Sequence, residues 1–95
     1  MHKIIEGNGT GKTRRLMEIA KAEEAIFVCF NPYGMKQKAE SYGIIGLTFV
    51  TYEDFLYHNN DYRGKKFVID ELEDFVNNTA KGIAGEFVGY TLTKE

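Results

Sequence analysis

Short unbroken apolar runs alternate along this chain with amphipathic or polar stretches. "HKII" (residues 2–5), "AIFVCF" (25–30), "LTFVT" (47–51), "KFVID" (66–70) and "EFVGYTLT" (86–93) are rich in β-branched and aromatic residues, and each predicts a strand. Residues 12–24 place Leu16, Ile19, Ala20 and Glu23 at the three-and-four spacing of a helix. "NPYG" predicts a turn over 31–34, residues 35–43 a short helix closed by Gly43, residues 52–58 one or two helical turns, and residues 59–65 a polar loop. A run such as 25–30, apolar at every position, is what a strand covered on both faces looks like. Strands alternating with helices predict an α/β layer architecture with a mainly parallel sheet of about five strands, because each parallel return needs a crossover on one face. Those crossovers are expected to be right-handed.

Composition changes this picture little. Ninety-five residues make one small domain, 1–95. No apolar run is long enough to span a membrane, and no charged leader is followed by an apolar core, so the expectation is a cytoplasmic chain with no membrane partner. The one cysteine, Cys29, lies inside an apolar run and is expected to act as a small buried hydrophobe. A net charge of −2 excludes a uniformly basic surface for nucleic acid. The cluster Arg63, Lys65 and Lys66, close to the aromatics Tyr52, Phe55, Tyr57 and Tyr62, is the weak remaining case for nucleic acid, and packing against the sheet is the favoured role for those rings.

The candidate chemistry lies at two strand ends. "EGNGTGKT" (residues 6–13) falls between the first predicted strand and the first predicted helix. A glycine-rich turn at a helix N-terminus binds phosphate because successive N–H groups curl round the anion, the helix end adds partial positive charge, and glycine permits close approach. Gly7, Asn8, Gly9, Thr10, Gly11, Lys12, Thr13 and Arg14 form the expected nucleotide-binding set. Lys12 is expected to reach the β- and γ-phosphates, and the Thr13 hydroxyl to ligate Mg²⁺. The plain alternative is a glycine-rich turn with Thr10 or Thr13 as helix cap.

The second strand end is "KFVIDELE", residues 66–73. A strand that finishes in a carboxylate delivers it to the crevice where ligands of open α/β sheets bind. Asp70 is expected to hold Mg²⁺ through water and Glu71 to orient and deprotonate an attacking water. Taken alone, such an acidic pair is more often an exposed turn or a helix start.

"GNGTGKT" resembles a Walker A motif and "FVIDE" a Walker B motif, so the chain resembles the P-loop NTPases. The acid directly after Asp70 is similar to the branch containing helicases, AAA+ proteins and RecA-like ATPases. That resemblance implies a single-domain, three-layer P-loop sandwich, ATP as nucleotide, Mg²⁺ as cofactor, and Lys12 and Glu71 as catalytic residues. It also implies two further strands between the motifs, for which 25–30 and 47–51 are candidates, and a polar sensor on the last strand, for which Thr91 and Thr93 are candidates. "TFVTYEDFL" is weakly similar to a strand-then-Thr segment of helicase motors.

Two departures shape the functional expectation. Glu6 stands where the family carries glycine or alanine, which weakens binding of an anionic ligand unless the side chain points away. The few residues after Glu71 lead to the expectation of neither a second motor domain nor a helical lid, and no arginine finger is assignable. An arginine finger is worth about three to five orders of magnitude in rate. The expected function is Mg²⁺-dependent ATP binding with weak hydrolysis, stimulated by a protein partner or by homo-oligomerisation that supplies the arginine, in a protein of the kind phages and mobile elements encode. The alternative is a non-enzymatic interaction protein that keeps the fold and binds or inhibits a host ATPase.

Overall fold

The computed structural model describes residues 11–72, 75, 76 and 88. The strand expected over 2–5, the loop over 6–10, the candidate sensors Thr91 and Thr93, and all of the strand expected over 86–93 except the exposed Val88 lie outside the described residues. Within them the order is helix α1 (Lys12–Glu23), strand β1 (Ile26–Cys29), helix α2 (Pro32–Ser41), strand β2 (Phe49–Thr51), helix α3 (Tyr52–Tyr57), a 3₁₀ turn (Asn59–Tyr62) and strand β3 (Phe67–Ile69). No helix among these residues is long and apolar enough to cross a membrane.

The three strands form a parallel sheet in the order β2-β1-β3. Phe27, Val28 and Cys29 of β1 lie opposite Phe49, Val50 and Thr51, while Ile26, Phe27 and Val28 lie opposite Phe67, Val68 and Ile69. The register aligns the C-terminal ends of all three strands. Every residue of β1 is buried, as its unbroken apolar run predicts for the central strand of a covered sheet.

Successive side chains of β1 divide between two cores. Phe27 and Cys29 join Met17, Ala20, Ala25 and Ala39 under α1 and α2, and Ile26 and Val28 join Val50 and Tyr52 on the face that carries α3. The chain moves one way from β1 to β2 with α2 on the first face, then back past β1 to β3 with α3 on the second. Crossovers of one hand need opposite faces for opposite directions.

Local details depart from the sequence reading in three places. The fully buried side chains of α1 are Met17 and Ala20, whereas Leu16 is only partly buried against the same core. Ala20 lies on the expected stripe, with Leu16, Ile19 and Glu23 half-buried, and Met17 joins it as a residue the spacing does not single out. Helix α2 begins at Pro32 rather than Met35, because the Asn31 side chain accepts a hydrogen bond from the Gly34 N–H at 3.1 Å and Pro32 occupies the first helical position, where a missing N–H costs nothing. The residues expected as a turn thus form a helix cap. The expected polar loop opens with the 3₁₀ turn, whose Tyr62 ring stacks on Phe55 at 5.7 Å.

Candidate functional site

Three of the expected site residues, Lys12, Thr13 and Arg14, follow Gly11 on the first turn of α1. Gly11 has φ 76°, a left-handed conformation that glycine adopts at no steric cost, and it turns the chain into the helix. Because α1 runs back across β1 and β3, its N-terminus lies at the C-terminal edge of the sheet. Asp70 and Glu71 emerge at that same edge directly after β3, with the Asp70 N–H donating to the Val28 carbonyl at 2.9 Å.

The two sequence segments meet there in pairs. The Thr13 hydroxyl donates to Asp70 Oδ1 at 3.4 Å, across 57 residues of sequence. Lys12 Nζ lies 3.1 Å from Glu71 Oε1. Asp70 is 8% exposed, and it is the buried charged residue among those described. Burial pushes its carboxyl above the ordinary value of 3.8, the Glu71 charge pushes it further, and the Thr13 hydrogen bond, Lys12 and Lys38 pull the other way. Burial makes the charged form costly here, and the cations beside it reduce that cost.

Glu71 itself sits at φ 59°. A non-glycine residue in this region costs roughly 1–2 kcal/mol, so its neighbours must hold it there. Tyr52 supplies one restraint: its buried hydroxyl donates to the Asp70 carbonyl at 2.8 Å and also approaches the Glu71 carbonyl at 3.5 Å. The Phe75 N–H also donates to the Glu71 carbonyl, at 3.0 Å. The Tyr52 ring packs edge-on against Phe75 at 5.2 Å. Sequence reasoning treated Tyr52 as a packing aromatic or a base-stacking one. Its link to the acidic corner has no local signal, since residues 52 and 70 are brought together only by strand order.

Other expected residues are placed elsewhere. Arg14 pairs through Nε with Glu18 Oε1 at 3.2 Å, and its guanidinium lies over the Tyr42 ring at 5.1 Å, on the flank of α1 that meets α2. These contacts do not bring it to the Thr13–Asp70 or Lys12–Glu71 pairs. Glu6, Gly7, Asn8, Gly9 and Thr10 lie outside the described residues. Cys29 is buried at the end of β1, with its thiol pushed up to about 11 by burial and then by the Asp70 charge. That protonated, enclosed thiol is a packing group.

Of the aromatics near the basic cluster, Tyr52 is buried, and Phe55 packs against Tyr62 and Phe67. Tyr62 donates its hydroxyl to Asp54, which pushes the phenol up to about 12. Tyr57 is exposed, and Lys66 pairs with Glu23 at 3.0 Å. Three of the four rings thus pack rather than form a free stacking surface.

The oxygens of Thr13 and Asp70 are hard donors facing one another, which suits a divalent cation that keeps waters and takes only one or two protein carboxylates. Among the described residues no group of three or more His, Cys, Asp or Glu converges as an all-protein metal cage. A hollow of about 160 Å³ between the end of α1 and the start of β2, lined by Lys21, Glu24 and Thr48 among others, opens at the opposite edge of the sheet, away from this chemistry. Comparison with protein-family models, curated proteins and solved structures finds no match to this chain.

Proposed function

We propose that this chain is a minimal P-loop domain that binds ATP with Mg²⁺ and hydrolyses it slowly until a partner or a second copy supplies an arginine. The observation that carries the reading is the meeting of Thr13 with Asp70 and of Lys12 with Glu71 at the C-terminal edge of a parallel sheet. A glycine-rich turn and an acidic strand end have no structural need of each other. Convergence in the crevice where α/β sheets take ligands supports a shared ligand.

In this reading residues 2–5 and 86–93 complete a five-stranded sheet, and residues 7–11 wrap the phosphates. Lys12 pairs with the terminal phosphates, and the Thr13 hydroxyl and Asp70 carboxylate hold Mg²⁺. The metal supplies positive charge against the phosphate oxygens when bound. Glu71 orients a water and accepts its proton. ATP is preferred over GTP on the helicase-like resemblance of the acidic pair.

Calorimetric titration with Mg·ATP of the wild type and Lys12→Ala tests the proposal. Loss of one charge-assisted contact to phosphate is expected to weaken binding roughly 10- to 100-fold. Equal affinities, or no binding by either protein, would sink the reading and favour an interaction protein that only keeps the fold.

A further inference from the structure

The contact between Lys12 and Glu71 has a meaning that phosphate binding alone does not require. The cation expected to hold phosphate already has an anion 3.1 Å away, supplied by the residue expected to handle water. Both side chains keep some exposure, 25% for Lys12 and 42% for Glu71, so an incoming ligand can reach the pair. The paired hydroxyl and carboxylate of Thr13 and Asp70 lie beside it, with Asp70 held inward by burial. Of the two acids, Glu71 is the exposed one.

We infer that Glu71 is a built-in competitor for phosphate: it latches Lys12 in the empty site, and a phosphate chain enters by displacing it. This rests on the phosphate reading above and assigns the regulation of that same site. Displacement does two things at once. It gives Lys12 to the ligand, and it frees the Glu71 carboxylate from its ion pair only when a ligand is present. A ligand must outcompete a carboxylate already in place, which favours a chain of several phosphates over a single weakly charged one. The latch therefore keeps the empty site closed to lesser anions and ties release of the candidate base to occupancy.

The test uses inorganic tripolyphosphate without metal, so that turnover plays no part, on the wild type, Glu71→Gln, Glu71→Asp and Lys12→Ala. Glu71→Gln removes the charge, whereas Glu71→Asp keeps it on a side chain one methylene shorter, and aspartate tolerates the left-handed backbone at this position. Both Glu71 variants are expected to bind about two- to fivefold more tightly than the wild type, the range of a half-exposed ion pair that no longer has to be broken. Tightening by Glu71→Gln alone would mean simple repulsion and overturn the latch. Wild-type affinity in both Glu71 variants, with binding lost in Lys12→Ala, would overturn the latch and leave the phosphate reading standing. No binding by any of the four would overturn both. A ligand-free check is the urea midpoint: Lys12→Met is expected to lower it in the wild type and to have a smaller effect in Glu71→Gln, and equal effects would also overturn the latch.

Discussion

Asp70 keeps a carboxylate mostly out of water at a place where no packing need calls for one. Its pKa is raised, chiefly by burial and then by Glu71, so the folded protein holds that proton more firmly than the unfolded chain does. For an acid shifted upward, the native state retains more protons than the unfolded chain between the unfolded value of 3.8 and the higher folded value, so stability falls as pH rises through that window. At neutral pH the charge is a net cost. Asp70→Asn keeps an oxygen to accept from Thr13 and removes the charge, so its urea midpoint at pH 7 should exceed that of the wild type, with the gap closing as pH falls toward 4. A lower midpoint at pH 7 would show that cations outweigh burial there. A residue expected to lower stability that sits beside Lys12, Thr13 and Glu71 fits a functional site better than a core position. Its neighbour Cys29, by contrast, matched its sequence reading because burial of a lone thiol in an apolar strand is decided locally.

The elements show which sequence signals carry over short distances. The strands over 25–30, 47–51 and 66–70 all exist, shortened at their ends, because runs of β-branched and aromatic residues favour the extended chain wherever they are covered. The start of α2 is ambiguous in sequence because Asn, Pro and Gly serve turns and helix caps alike, and the choice depends on whether the following residues have a core to pack on. Ala39, buried against the face holding Phe27, supplies that reason. Asn31→Ala removes the acceptor for the Gly34 N–H and is expected to cost about 1 kcal/mol, read as a lower urea midpoint with an unchanged slope. An unchanged midpoint would mean that Pro32 alone starts the helix. In α1 the expected spacing holds, with Ala20 buried and Leu16 packed against the same core, while Met17, which the spacing does not single out, is fully buried beside them. Which position is buried deepest depends on how the helix is set down on the strands, which a repeat of apolar residues does not encode.

At the scale of the whole molecule, one central strand carries both cores. Phe27 is fully buried, meets Phe49 edge-on at 5.3 Å, and lies in the cluster beneath α1 and α2. Phe27→Ala should cost about 3–5 kcal/mol, a large share of the roughly 5–15 kcal/mol that holds a small domain together. Its thermal transition should shift down steeply or vanish in circular dichroism, and a shift of only a degree or two would mean that the core refills the gap. The sheet order also decides the site. Had β3 added outside β2 instead of beside β1, Asp70 would stand about 10 Å further from α1, two strand spacings away, and Thr13 would not reach it. The α/β class, the parallel strands and the two chemically marked segments around residues 12–13 and 70–71 were legible from the chain alone, because patterning, glycine and charge act on near neighbours. That these segments meet, that Tyr52 braces the acidic corner, that Arg14 turns to Glu18 and Tyr42, and that Glu71 holds Lys12 emerge in the assembled fold. Each of those depends on which strand lies beside which, and that order is set by the packing of both sheet faces at once.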